Sequence, residues 1–192
     1  MLNNPQNIHM KIFKTAIFAL LALTINACAS NPISRDLSIP LNTVPKVDLN
    51  KYLGRWYEAY RLPNWFEDED CNTLSADYSF RDDGNIKVIN TCYKTNKIDK
   101  AEGIAKVEDK NSNSKLRVSF FRPFYGDYWI VDLAPDYSWA LVGEGTGKYF
   151  WILTRDQKIS PEMDRMLIDR AKKLGYMTDR LIKPANTLNI KN

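Results

Sequence analysis

Histidine is almost missing from this 192-residue chain: the single one is His9. It stands ahead of an apolar leader, so a chain processed after that leader carries none. Without imidazole a Ser-His-Asp triad cannot be assembled, and zinc and haem lose their commonest side-chain ligand. Cysteine is nearly as scarce, with three residues, Cys28, Cys71 and Cys92. No apolar run is long enough to span a bilayer as a helix, since the longest, Thr15 to Ile25, falls well short of about 18 residues. A charge cluster of one sign is also lacking. Lys and Arg number 27 against 23 Asp and Glu, for a net charge of +4, and the basic residues are scattered. That is no footprint for nucleic acid. Internal repeats and low-complexity tracts are missing too.

What is present begins with a targeting segment. Met10-Lys11-Ile12-Phe13-Lys14 supplies a positive start, Thr15 to Ile25 an apolar stretch, and Ile25-Asn26-Ala27-Cys28 a cleavage-like site. Met10 reads as the true start, because Met1 to His9 is polar. Residues 1–27 are therefore read as a signal peptide that leaves Cys28 as a lipidated N-terminus. The alternative is a plain secretory peptide cut near Ala29. Loss of Lys11 and Lys14 leaves 25 basic against 23 acidic residues. Residues 28–46, punctuated by Pro32, Pro40 and Pro45, read as the lipidated end and a linker. With Cys28 acylated, Cys71 and Cys92 remain in an oxidising compartment and are expected to pair, the alternative being two free thiols. Pairing around the Arg81–Gly84 turn gives partner numbers summing to about 163–166, which suits Cys71 with Cys92.

From Gly54 on, apolar and polar residues alternate, with turn signals every ten residues or so. Leu74, Ala76, Tyr78 and Phe80 share one parity, and Arg81-Asp82-Asp83-Gly84 makes a tight hairpin. Ile86 to Tyr93 returns, and segments around Ala101–Val107, Leu116–Phe120, Tyr128–Leu133, Trp139–Val142 and Tyr149–Arg155 follow. The pattern predicts an all-β fold with about eight antiparallel strands. One helix stands apart: Ser160 is placed to cap it, Pro161 fits its first turn, and Gly175 ends it. Met163, Met166, Leu167, Ala171 and Leu174 form its apolar face.

Three stretches carry a family resemblance: Leu53-Gly54-Arg55-Trp56-Tyr57-Glu58, Asp136 to Val142, and Tyr149 to Arg155. In order and spacing they resemble the signature regions of the lipocalins, over roughly Val47 to Ile182. Tyr78 to Gly84, Val118 to Gly126 and Trp151 to Arg155 resemble the bacterial outer-membrane lipoprotein type most. The resemblance implies an up-and-down eight-stranded β-barrel with one C-terminal α-helix packed outside, a domain over 47–185 and a tail over 186–192. It implies that Gly54, Trp56 and Arg155 are structural, with Arg155 stacked over Trp56 at the closed end. It also implies a lipid anchor in the outer membrane of a Gram-negative bacterium.

If Arg155 points inward, parity turns Leu153, Trp151 and Tyr149 inward as well. The inner face is then expected to include Tyr78, Leu116, Val118, Phe120, Tyr128, Ile130 and Val142, with Glu58 and Tyr60 bringing polarity by their parity with Trp56. Ala101, Gly103 and Ala105 leave room opposite the aromatics. A barrel of this size either packs solid or holds one small ligand. The resemblance favours a fatty acid or lysophospholipid, in envelope lipid storage, transport or repair. Trp65 and Phe66, in the loop after the first strand, are expected at the entrance. No metal, cofactor or catalytic residue is expected, and dimerisation is left open. The alternatives are an envelope interaction or structural lipoprotein, and, behind it, a cavity-based enzyme using Glu58 as a base.

Overall fold

The computed structural model describes residues 31–186. The signal peptide, Cys28 and the 187–192 part of the tail lie outside the described residues. A single helical turn, α1 (Leu49–Tyr52), precedes eight strands. These are β1 (Gly54–Arg61), β2 (Thr73–Phe80), β3 (Ile86–Tyr93), β4 (Ile98–Val107), β5 (Lys115–Phe121), β6 (Phe124–Leu133), β7 (Trp139–Gly143) and β8 (Phe150–Thr154). Each pairs antiparallel with the next, and β8 pairs with β1, which closes the barrel and leaves no free sheet edge.

Local chemistry explains the elements. In the β2–β3 turn Gly84 takes φ +77, Asp83 accepts from Asn85 N, and the ladder runs unbroken from Thr73↔Tyr93 to Phe80↔Ile86. Cys71, just before β2, is bonded to Cys92 on β3, with Cα atoms 5.4 Å apart. The helix α2 (Pro161–Lys173) starts where Ser160 accepts from Met163 N and ends before Gly175, whose φ is +89. Strands β4 and β6 extend three or four residues further toward the open end than sequence alternation alone suggests.

Alternation splits the apolar residues into two clusters. Inside the barrel lie Trp56, Tyr78, Val88, Leu116, Ile130, Val142 and Leu153. Outside, Leu141, Phe150 and Ile152 on the back of β7 and β8 pack with Leu167 and Ala171 of α2. Residues 31–46 are not a free linker. Ser34 N donates to Gly147 O, Asp36 N to Gly175 O and Val44 N to Ile130 O, so this segment is laid along the barrel. Arg35 is buried and donates to the Leu174 carbonyl. Backbone pairing with the carbonyls of Gly147, Gly175 and Ile130, invisible in a proline-spaced polar sequence, and the Arg35 side chain hold it there.

Candidate functional site

The closed end is built around Trp56. Its indole N–H donates to the Tyr52 carbonyl at 2.8 Å, and the Arg155 guanidinium lies 3.7 Å from its ring centroid. Arg155 donates to the carbonyls of Lys51, Tyr52, Leu53, Arg55 and Tyr137. Gly54 takes φ +91, a conformation that disfavours any side chain, beside Arg155 Nη1. These contacts plug one end of the barrel. Next to the plug Tyr128 shares hydroxyl hydrogen bonds with Tyr52, at 2.7 Å, and with Tyr78, at 3.1 Å. Burial pushes the Tyr78 phenol up to about 12 and raises those of Tyr52 and Tyr128 above their ordinary range, so all three stay neutral.

Beyond the plug the inner lining is apolar through the middle of the barrel. Leu116, Ile130, Val142 and Leu153 are buried in the inner cluster, and Val118, Tyr128 and Trp151 pack against it. A Cβ on Gly103 would sit 2.8 Å from the Phe120 ring, so the small residue on β4 is what admits Phe120 from β5. Tyr149 precedes β8 and stacks with Trp151, with ring centroids 6.2 Å apart and planes 8° from parallel. Its loop is shaped by the Glu144 carboxylate, which accepts from Thr146 N, Lys148 N and Tyr149 N. Phe66 leans on both rings, at 5.7 Å from Tyr149 and 6.3 Å from Trp151. Trp65 packs edge-on against Phe66 but is 77% exposed, so it covers nothing within the barrel.

Tyr60 is a correction. The β1–β8 ladder shifts between Glu58 and Tyr60, so the alternation slips by one residue and Tyr60 turns outward. Its hydroxyl donates to Asp164 of α2 at 2.8 Å. The same slip turns Arg61 inward, opposite Trp151. Sequence parity missed it, and a lone Arg gives no signal of an inward orientation.

Arg61 is the centre of a buried polar cluster. Its Nη1 donates to Glu58 Oε1 at 2.9 Å, and its Nε lies 3.0 Å from Glu67 Oε2, an ion-pair distance without hydrogen-bond alignment. Glu67 reaches in from the β1–β2 loop and accepts the Trp151 indole N–H at 3.0 Å. Two carboxylates here share one guanidinium. Burial, with the repulsion of Glu67 added, raises the Glu58 carboxyl well above its usual range despite Arg61. A neutral Glu58 beside an Arg61–Glu67 pair is the arrangement that leaves no net charge in the barrel. At the opposite end of the molecule a groove of about 570 Å³ is lined by Val47, Leu49, Phe80 and Tyr137 among others, from α1, the end of β2 and the β6–β7 connection.

An eight-stranded barrel plugged at one end and ringed by aromatics at the other is the class of fold that takes a small apolar molecule into its interior. Residues 47–186 match the family model described as a lipocalin-like domain. The chain belongs to the lipocalin family. It is 36% identical to the outer membrane lipoprotein Blc of Vibrio cholerae over 171 residues, covering 87% of this chain and 96% of the relative. It is 32% identical to temperature-induced lipocalin-1 of Arabidopsis thaliana over 151 residues, covering 74% of this chain and 81% of the relative. The solved structure of insecticyanin from Manduca sexta shares the fold with a TM-score of 0.59 at 17% identity, over 76% of this chain and 84% of that one.

Proposed function

We propose that this protein is an outer-membrane lipoprotein, anchored through Cys28, that carries one long acyl chain, as a fatty acid or lysophospholipid, inside its barrel. The observation that carries the reading is the asymmetry of the barrel. A plugged floor of Trp56 and Arg155 faces an apolar and aromatic interior that includes Leu116, Val118, Ile130, Val142, Trp151 and Leu153. Such a lining offers area and dispersion, at roughly 25 cal/mol per Å² of apolar surface removed from water, with its polar groups gathered in the tyrosine trio by the plug and in the Glu58–Arg61–Glu67 cluster. Relatives named outer membrane lipoprotein Blc support the location, and a leader ending in Ala27-Cys28 agrees with it. The role follows as storage, transport or repair of envelope lipid. It is a carrier rather than an enzyme, since the interior carboxylates of Glu58 and Glu67 are engaged by Arg61 and Trp151.

Native mass spectrometry of the protein released gently from membranes tests this. The expected spectrum shows one fatty acid or lysophospholipid per chain, displaced by added lysophospholipid. A ligand-free protein that also fails to take up added acyl lipid overturns it.

A further inference from the structure

The described chain begins at the open end of the barrel. Asn31 Nδ2 donates to the carbonyl of Pro63 in the β1–β2 loop, and Ser34 N donates to Gly147 O in the β7–β8 loop. Only three residue steps separate Asn31 from Cys28. Fully extended, they reach about 11 Å at most. A lipid on Cys28 is therefore tied close to the mouth, whatever path those three residues take.

The mouth is also where apolar surface is left uncovered. Of ten exposed large hydrophobic residues among those described, Trp65, Phe66, Ile98, Phe120, Phe121 and Phe124 belong to the open-end loops and strand ends. Phe121 and Phe124, 76% and 70% exposed, stack 5° from parallel across the Arg122-Pro123 turn. Ile33 and Leu37, also exposed, lie against Gly147 on the same rim. The acidic side chains of this rim are partly neutralised, since Lys94 bridges Asp68 and Asp70. A soluble surface rarely gathers so many aromatics in one place. Trp, Phe and Arg together are the residues that settle at the boundary of headgroups and acyl chains.

We infer that the open end, through Trp65 and the Phe121–Phe124 turn, docks on the bilayer that holds the Cys28 lipid, so that the barrel mouth opens onto the membrane. The inference rests on the Cys28 anchor proposed above and adds an orientation to it. An acyl chain then passes between bilayer and barrel without crossing water. The occupant is a lipid surface rather than a second copy because the chain ahead of Asn31 delivers the anchor to this rim.

The test uses the full lipoprotein reconstituted in phosphatidylethanolamine–phosphatidylglycerol vesicles with and without brominated acyl chains. In a Trp65→Phe background, Phe124→Trp reports the mouth and Phe80→Trp the closed end, both being exposed aromatic positions. Mouth fluorescence added by Phe124→Trp is expected to be quenched several-fold more than that added by Phe80→Trp. Equal quenching in a protein whose mass shows acylated Cys28 overturns the orientation and leaves the anchor standing. A Cys28 without acyl groups overturns both. A dimer in lipid-free buffer that Phe121→Ser with Phe124→Ser dissociates assigns the surface to a second copy and overturns the docking.

Discussion

Arg155 stacks on Trp56 at 3.7 Å and at the same time gathers five main-chain carbonyls from α1, β1 and the β6–β7 connection. One side chain thus ties the first turn of the domain to the end of the last strand. Arg155 is partly buried, and a cation–π pair at such a site is worth about 1 kcal/mol, to which the carbonyls add charge-assisted hydrogen bonds.

Trp56→Ala removes the largest fully buried side chain from this plug. The loss is expected to be about 3–5 kcal/mol through cavity formation, read from the urea midpoint. A variant that melts like the wild type and only loses ligand binding contradicts a structural role for Trp56.

The Cys71–Cys92 bond closes a sequence separation of 21 residues. In the chain-entropy view a loop of this length is worth about 3 kcal/mol. Reduction should lower the unfolding midpoint accordingly. Thiol labelling of the denatured, unreduced protein should find neither of these two cysteines, and labelling of both would refute the bond.

Glu58 makes stability depend on pH in an unusual direction. Its folded-state carboxyl is raised above 4.5 by burial and by Glu67. The folded protein therefore binds this proton more tightly than the unfolded chain. Its contribution is complete below about 4.5 and is lost as pH rises through the folded-state value. Urea midpoints measured from pH 4.5 upward should fall relative to those of Glu58→Gln, with Arg61 and Glu67 unchanged. A difference that stays flat across that range contradicts a raised Glu58.

Tyr60 belongs to the helix contact and not to the interior. Tyr60→Phe deletes only the hydroxyl bonded to Asp164, at an expected cost of about 1 kcal/mol. Acyl-chain affinity, measured by fluorescent fatty acid displacement, should not change. A several-fold loss of affinity would return Tyr60 to the lining.

Strand number, the β2–β3 hairpin and the outer helix are legible in the sequence, because Asp83-Gly84, Ser160-Pro161 and alternating apolar residues each have one geometric solution. The plug is legible through the signature residues Trp56 and Arg155. Parity counting fails where the ladder slips. A shift between Glu58 and Tyr60 turns Tyr60 out and Arg61 in, and nothing in Glu58-Ala59-Tyr60-Arg61 announces it. The charged cluster was hidden for a second reason. An Arg is buried only if partners come to it, and Glu67 arrives from a loop whose path no periodicity encodes. Residues 31–46 look like a tether because their bonds run to main-chain carbonyls, through backbone N–H groups to Gly147, Gly175 and Ile130 and through the Asn31 and Arg35 side chains to Pro63 and Leu174, and a carbonyl acceptor leaves no mark in the sequence.

Everything proposed about the ligand turns on which way β8 faces. Trp151 lies inside, stacked with Tyr149 and bonded to Glu67. Trp151→Glu would replace the indole that donates to Glu67 with a third carboxyl beside Glu58 and Glu67, leaving Arg61 to be shared among three, at several kcal/mol for a buried charge without a cation of its own. The decisive measurement is lysophospholipid affinity of Trp151→Glu, with near-UV circular dichroism confirming the fold. A loss of about tenfold or more, equivalent to at least about 1.4 kcal/mol, is expected. A folded Trp151→Glu protein that binds as tightly as the wild type would contradict the barrel interior as the acyl-chain site.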